Sequence, residues 1–235
     1  MNAIILAAGL GSRFNEITKE NHKALLPIGG TPNIERTIQY LHDFGIQEIY
    51  IVVGHMASLF EYLVNKYNVE LIKNEHYADY NNLYSMAQAL PYFSDSFVID
   101  ADVVLLENIF SKEPQSCYYT VQRKDSDEID WCPMVENGRV KAMNITDEYI
   151  PSMLGISFWV AKDCEKIKTV INEKLKEKEN VENPKLYWDN IPILLFEDIE
   201  VGVHQINEDV VDEMDTVQNY LDICEKYKSH NSIDI

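Results

Sequence analysis

Basic side chains are in short supply: 20 Lys and Arg stand against 39 Asp and Glu, a formal charge of -19 over 235 residues. A nucleic-acid binder needs the opposite balance to neutralise phosphates, so that class of partner is not expected. Any anionic ligand has to be drawn in locally, by a metal ion or a few placed cations. Cysteine pairs are lacking too. Cys117, Cys132, Cys164 and Cys224 lie far apart with no CxxC spacing, which argues against a zinc site and a disulfide framework and fits a reducing cytoplasm. Long apolar runs are also missing. The N-terminal run Ala3 to Ala8 follows no basic segment and is too short for a signal peptide or a membrane span. The expectation is a soluble, cytoplasmic chain. What is present is a 46% hydrophobic composition, enough for a sizeable core, and a single folded unit over 1–235 is expected.

Short continuous apolar runs alternate with helical patterns. Ala3 to Ala8, Ile49 to Gly54, Val69 to Ile72 and Phe97 to Asp102 read as strands buried on both faces, as in parallel sheets. Between them, Thr31 is a candidate N-cap with Pro32 at the first helical position, Ile34, Ile38 and Leu41 share a face, and Gly45 ends the helix. Ser58 to Tyr67 and Asn82 to Leu90 read as further crossover helices. The rhythm predicts an α/β fold: a doubly wound, mostly parallel, Rossmann-like sheet with its loops gathered at the carboxyl ends of the strands, where ligands bind.

After Asp102 the pattern changes. "CYYTVQR", "WCPMVENGRVKAMNI" and "MLGISFWVA" suggest strands, with Asn137-Gly138 a two-residue hairpin turn. Together they predict a small antiparallel insertion over the acceptor end of the site. A charged helix from about Asp163 to Glu179 is expected to bury Ile167, Val170, Ile171 and Leu175. A last helix, near Thr216 to Lys228, is expected to pack back onto the sheet and leave "SHNSIDI" frayed.

The stretch "LAAGLGSRF" ends the first strand with two glycines, a serine and an arginine. The dinucleotide fingerprint fails because Phe14 stands at its third glycine, and the P-loop fails because no Gly-Lys-Ser/Thr follows. What the residues do offer is an anion nest. The amides of Gly9, Leu10, Gly11 and Ser12 can converge on phosphate oxygens, Arg13 can grip with a planar fork, and Lys23 adds a point charge. An ordinary Gly-rich turn is the bland alternative. "VIDADVV" ends a strand in Asp-x-Asp, Asp100 and Asp102, at the carboxyl edge of the sheet, where a carboxylate can reach a Mg²⁺ over the phosphates.

The glycine loop with its arginine, followed by "HKALLPIGGTP", resembles the nucleotidyltransferases that make sugar nucleotides and related activated head groups. That resemblance implies a triphosphate under the loop, with Lys23 and Arg13 offsetting its charge and Leu6 and Ala8 among the nucleotide contacts. One departure is His22, where proline usually precedes the lysine. The resemblance makes Asp102 the metal ligand and Asp100 a support for its loop. "EMDTVQNY" is similar to the element that delivers a second ligand, here Asp215. Helix capping by the Asp-Thr pair is the plainer reading of that element.

All three tryptophans, Trp131, Trp159 and Trp188, fall in the region expected to cover the acceptor, with Tyr187 and Asp189 beside the last. Aromatic faces bind quaternary ammonium groups, although general burial trends put one or two of the three in the core. With "YADYNNLYSM", "GISFWVA" and "LYWDN" added, most of the chain resembles the bacterial CTP:phosphocholine cytidylyltransferases. This likeness implies cytosine near Asn81 and Asn82, a choline pocket of Trp131, Tyr187, Trp188 and Asp189, Mg²⁺ on Asp102 and Asp215, and catalysis by Lys23, Arg13 and Asp102. Capping by Asn82 is the alternative to base contact. Three rival functions stay open: a cytidylyltransferase for 2-aminoethylphosphonate or phosphoethanolamine, a sugar-1-phosphate nucleotidyltransferase, and a non-catalytic regulator that binds nucleotide or choline.

Overall fold

The computed structural model describes residues 1–11, 14, 20–123 and 129–232. Ser12 and Arg13, two of the expected phosphate contacts, lie outside the described residues. The N-terminal run forms β1 (Asn2–Ala7), buried along its whole length. A strand without a solvent face needs cover on both sides, and β1 has it as an interior strand of the sheet. Next come β2 (Pro27–Ile28), β3 (Thr31–Pro32), α1 (Asn33–Phe44), β4 (Ile49–Val53), α2 (Glu61–Tyr67), β5 (Glu70–Lys73), α3 (Asn82–Gln88), β6 (Ser96–Asp100) and β7 (Val103–Leu105). The second half adds β8 (Ser116–Val121), β9 (Asp130–Glu136), β10 (Arg139–Thr146), β11 (Ser152–Trp159), α4 (Ala161–Lys174), α5 (Lys178–Glu182), α6 (Asn190–Ile193), β12 (Val201–Ile206), β13 (Val211–Glu213) and α7 (Val217–Ser232).

Seven strands form the main sheet in the order β12-β8-β11-β6-β1-β4-β5. Its ladders are parallel except where β11 runs against β6 and β8. The mostly parallel sheet is therefore as the sequence predicts, but the antiparallel insertion is smaller. "CYYTVQR" and "MLGISFWVA" belong to the main sheet, because β8 is buried at every position and β11 at most of them, leaving neither a wet face. Only the β9–β10 hairpin stands apart, burying little besides Cys132 and Val140. Its turn is the expected one, with Asn137 and Gly138 both left-handed at φ 52° and 77°.

The sheet separates two apolar layers. Ile5, Ile38, Ile51 and Phe97 belong to one, and Ile4, Leu83, Trp159 and Ile167 to the other. Helix α1 buries Ile34, Ile38 and Leu41 and ends at Gly45, which takes φ 101°. Its start differs from the expectation. Thr31 and Pro32 pair with Ile28 and Pro27, so Pro32 occupies the cap position and Thr31 caps nothing. Helix α4 buries Ile167 and Ile171, with Val170 and Leu175 half-buried, and stops at Lys174 before the separate α5. No helix among the described residues is long and apolar enough to cross a membrane.

Helix α7 departs furthest from its forecast. It extends to Ser232 instead of fraying from Ser229, and it packs not on the main sheet but in a third cluster with Leu26, Ile28, Val104, Leu106 and Met214. The clasp is close. Tyr220 Oη donates to the Pro27 carbonyl at 2.8 Å, and the Arg36 guanidinium lies 4.5 Å from the Tyr227 ring centre. Gly29, at φ 61°, sits so near Tyr227 that a Cβ would fall 1.9 Å from its ring. Gly29→Ala combines left-handed strain with this overlap, so a loss of about 1–3 kcal/mol is expected. For a chain of this size that lowers Tm by about 3–10 °C in a thermal melt.

Candidate active site

The carboxyl ends of β1 and β6 and the start of α3 open into a cavity of about 270 Å³ lined by Leu6, Ala8, Gly9, Lys23, Asn82 and Asp102, among others. Two glycines shape it in opposite ways. A Cβ on Gly54 would fall 2.4 Å from Tyr77 and 2.9 Å from the Ala8 carbonyl, so glycine there lets the loops after β1 and β4 touch. A Cβ on Gly9 would meet nothing within 4 Å among the described residues, which leaves room over that peptide for a ligand. Gly11, at φ 61°, turns the chain back toward the Lys23 side chain.

Lys23 rides on a single 3-10 turn (Lys23–Leu25) and reaches Asp102 Oδ2 at 2.5 Å and Asp215 Oδ1 at 4.0 Å. The two carboxylates meet because β7 and β13 pair antiparallel, Val103 opposite Glu213, and the Met214 amide donates to the Asp102 carbonyl at 2.9 Å. Thr216 and Asn219 bond reciprocally at the start of α7, with Thr216 Oγ1 accepting the Asn219 amide at 3.1 Å. The capping that the sequence offered to the Asp-Thr pair thus falls on the threonine, while Asp215 faces Lys23. Asn33, unsuspected from sequence, holds Asp102 from behind. Its fully buried amide donates to the carbonyls of Ala101 and Val103, at 3.2 and 2.8 Å, on either side of that residue.

Two carboxylates around one ammonium also suit a hard divalent cation. No group of three or more His, Cys, Asp or Glu among the described residues forms a complete metal cage. A Mg²⁺ held by two carboxylates would therefore complete its coordination with phosphate and water, which is this ion's habit.

A second cavity, of about 320 Å³, adjoins the first and is lined by Asp130, Trp131, Met153 and Glu213. Asp100, Asp102, Tyr187 and Asp189 line both. Trp131 and Tyr187 stand edge to face, ring centres 6.1 Å apart at 85°, and Tyr187 is 47% exposed. Trp188 must be removed from the expected aromatic cage. It is 2% exposed and packs against Phe93 and Trp159 in the core, because Tyr187 and Asp189 turn to the cleft and the residue between them turns away. Trp159 is core as well, with its indole N–H on Ser157 Oγ at 2.8 Å.

Asn81 and Asn82 line the first cavity, but their amides are engaged with the chain. Asn81, not Asn82, caps α3, and its Nδ2 donates to the carbonyls of Asn180 and Asn183 at 2.7 and 2.8 Å. Asn82 Oδ1 accepts the Trp188 amide at 2.8 Å.

The second cavity carries more negative charge than its cations balance. Arg123 reaches Asp130 at 3.1 Å and Ser152 Oγ at 2.6 Å, and it pairs with Glu213. Burial still pushes Glu213 up to about 8, against the pull of Arg123 and with repulsion from Asp102 and Asp215. Burial raises Asp189 to about 7, and Asp100 well above the usual carboxylate range, the latter with added repulsion from Asp102 and Asp189. Such a site gains most from a cationic ligand. Glu213 and Asp130 were not singled out in the sequence.

The raised Asp189 has a stability consequence. The folded chain keeps this proton up to about pH 7, whereas an unfolded aspartate loses it near 3.8. The native state therefore binds more protons between those values, and Asp189 makes the ligand-free fold less stable as pH rises through that window. Asp189→Asn is expected to melt above the parent protein at pH 8, with the gap closing towards pH 4, in Tm measured against pH without ligand.

Comparison with known proteins adds three findings and a domain match. Residues 3–117 match the MobA-like NTP transferase domain. A choline-phosphate cytidylyltransferase of Haemophilus influenzae is 47% identical over 228 residues, 96% of this chain and 97% of that one. A 2-aminoethylphosphonate cytidylyltransferase of Lancefieldella rimae is 31% identical, over 92% of this chain and 89% of its own. The solved structure of a CTP:phosphocholine cytidylyltransferase from Streptococcus pneumoniae superposes with a TM-score of 0.90 at 36% identity, covering 95% of this chain and 97% of that one.

Proposed function

We propose, since the chain belongs to the choline-phosphate cytidylyltransferase family, that it transfers CMP from CTP to phosphocholine, releasing pyrophosphate and forming CDP-choline. The observation that carries this reading is the boundary shared by the two cavities, where Asp100, Asp102, Tyr187 and Asp189 line both and Lys23 stands beside it. A nucleotide in the first cavity and a small cationic phosphate in the second would bring their reacting groups together there.

Phosphocholine's phosphate oxygen is already an ionised nucleophile. In-line attack on the α-phosphorus of CTP forms the new P–O bond as the bond to pyrophosphate breaks, so no covalent enzyme intermediate is needed. The amides of the Gly9–Gly11 loop, together with Ser12 and Arg13, would hold the triphosphate. Lys23 would stabilise charge on the α-phosphate, which is the work of a preorganised cation in a partly dehydrated site. Trp131 and Tyr187 would face the trimethylammonium group, whose charge would favour the ionised forms of Asp189 and Glu213 beside it. Asp102 and Asp215 would hold Mg²⁺, which neutralises phosphate charge when bound. The four cysteines are free, which supports a cytoplasmic setting.

A second acceptor has one observation in its favour: the second cavity is rich in carboxylates that could accept hydrogen bonds from a primary ammonium, as 2-aminoethylphosphonate carries. Pyrophosphate release decides between them, measured for CTP, UTP and dTTP with phosphocholine, aminoethylphosphonate, phosphoethanolamine and glucose 1-phosphate. The highest kcat/KM is expected for CTP with phosphocholine. Preference for a primary amine would move the function to the second acceptor, and no release with any pair would leave only a binding role.

A further inference from the structure

His22 is 3% exposed, and its ring meets Phe60 edge to face at 5.0 Å. Its Nδ1 accepts the Ala24 amide at 3.2 Å, which closes the turn carrying Lys23. An accepting Nδ1 places the ring proton on Nε2, and Nε2 lies 3.2 Å from the Gly9 carbonyl, to which it donates. Burial lowers this imidazole to about 4, so it is neutral at ordinary pH. One small side chain thus joins the glycine loop to the lysine turn. No peptide among the described residues is cis, so with the Gly9 oxygen held toward His22 the Leu10 N–H points the opposite way. A proline at this position would stiffen the turn but could not reach Gly9.

We infer that His22 is a positioning residue for the nucleotide: its Nε2–H fixes the facing of the Gly9–Leu10 peptide while its Nδ1 fixes the Lys23 turn, so that loop amides and ammonium are preassembled for the triphosphate. This rests on the reading of the first cavity as a nucleoside triphosphate site. Preassembly removes an ordering cost from nucleotide binding and leaves the acceptor cavity untouched.

The two hydrogen bonds can be separated by substitution. In His22→Asn, Oδ1 can replace Nδ1 as the acceptor for Ala24, but nothing reaches Gly9. In His22→Gln, the longer amide can donate to Gly9 and the acceptor next to Ala24 is lost. Asn is therefore expected to keep the parent Tm and raise KM for CTP about 5–10-fold, the effect of roughly one hydrogen bond. Gln is expected to lower Tm and keep KM for CTP within about twofold, while Ala loses on both counts. KM for phosphocholine should stay within about twofold in all three.

A parent-like KM for CTP in His22→Asn overturns the inference, as does an equal rise in both KM values. Loss of the folded state in all three variants does so too, since His22 would then be a general structural residue. The CTP-induced rise in Tm, measured in parallel with Mg²⁺, keeps the two readings apart. If CTP stabilises the parent protein and His22→Asn equally, this inference alone falls. If it stabilises neither and no pyrophosphate is released, the nucleotide reading falls and this inference with it.

Discussion

Lys23→Ala is expected to lower kcat by about 10²–10³-fold, the range found when one preorganised charge-stabilising group is removed from a site of this kind. The chain should remain folded. Lys23 lies on a one-turn segment at the rim of the cleft, and Asp102, which it pairs with at 2.5 Å, keeps 26% of its side chain exposed, so water can solvate the carboxylate left behind. Asp102→Ala should cause a loss of the same order. The two groups act on one phosphate cluster, so the double variant should fall well short of the product of the two single losses. Pyrophosphate release and a thermal melt on each variant are the measurements. Turnover unchanged in either single variant would remove that residue from the reaction. Arginine should rescue Lys23 poorly, because a planar fork does not replace a compact point charge whose stem lies 3.9 Å from where a Gly11 Cβ would be.

Trp131→Ala is expected to raise KM for phosphocholine about 30-fold while KM for CTP stays within about twofold. A quaternary ammonium over a desolvated indole face contributes about 2 kcal/mol, which corresponds to that factor. Trp131 can supply it because, unlike Trp159 and Trp188, it is only half-buried and opens on the carboxylate-lined cavity beside Tyr187. Phenylalanine should recover part of the loss, since it keeps an aromatic face of lesser strength. Equal increases in both KM values would make the tryptophan part of the scaffold. A larger effect on aminoethylphosphonate than on phosphocholine would contradict a cage suited to methylated nitrogen.

What could be read in advance divides along the range of the forces involved. The buried strands β1, β4 and β6 were legible because unbroken apolar runs force two-sided cover, and the Asn137-Gly138 turn because its backbone demands those residues. Lys23, Asp102 and Asp215 were legible as types in motifs, but their meeting depends on β7 pairing with β13, more than 100 residues later in the chain. No local pattern announces that pairing, and it also hid Glu213. Asn33 was invisible for a related reason: a buried amide that braces two distant carbonyls looks like any helix-start asparagine. Trp131 and Trp188 were equivalent as letters. Which of them faces water depends on the direction in which one residue leaves the backbone, and Tyr187 and Asp189 on either side of Trp188 both point into the cleft.

Helix α7 begins just past Asp215, and Tyr227 in its second half packs against Gly29, a few residues beyond Lys23. The lysine and its distant carboxylate are thereby cinched by one belt, buckled at Tyr227. Trimming the chain before Tyr227 would slacken both ends of that belt at once, although Tyr227 itself lines neither cavity.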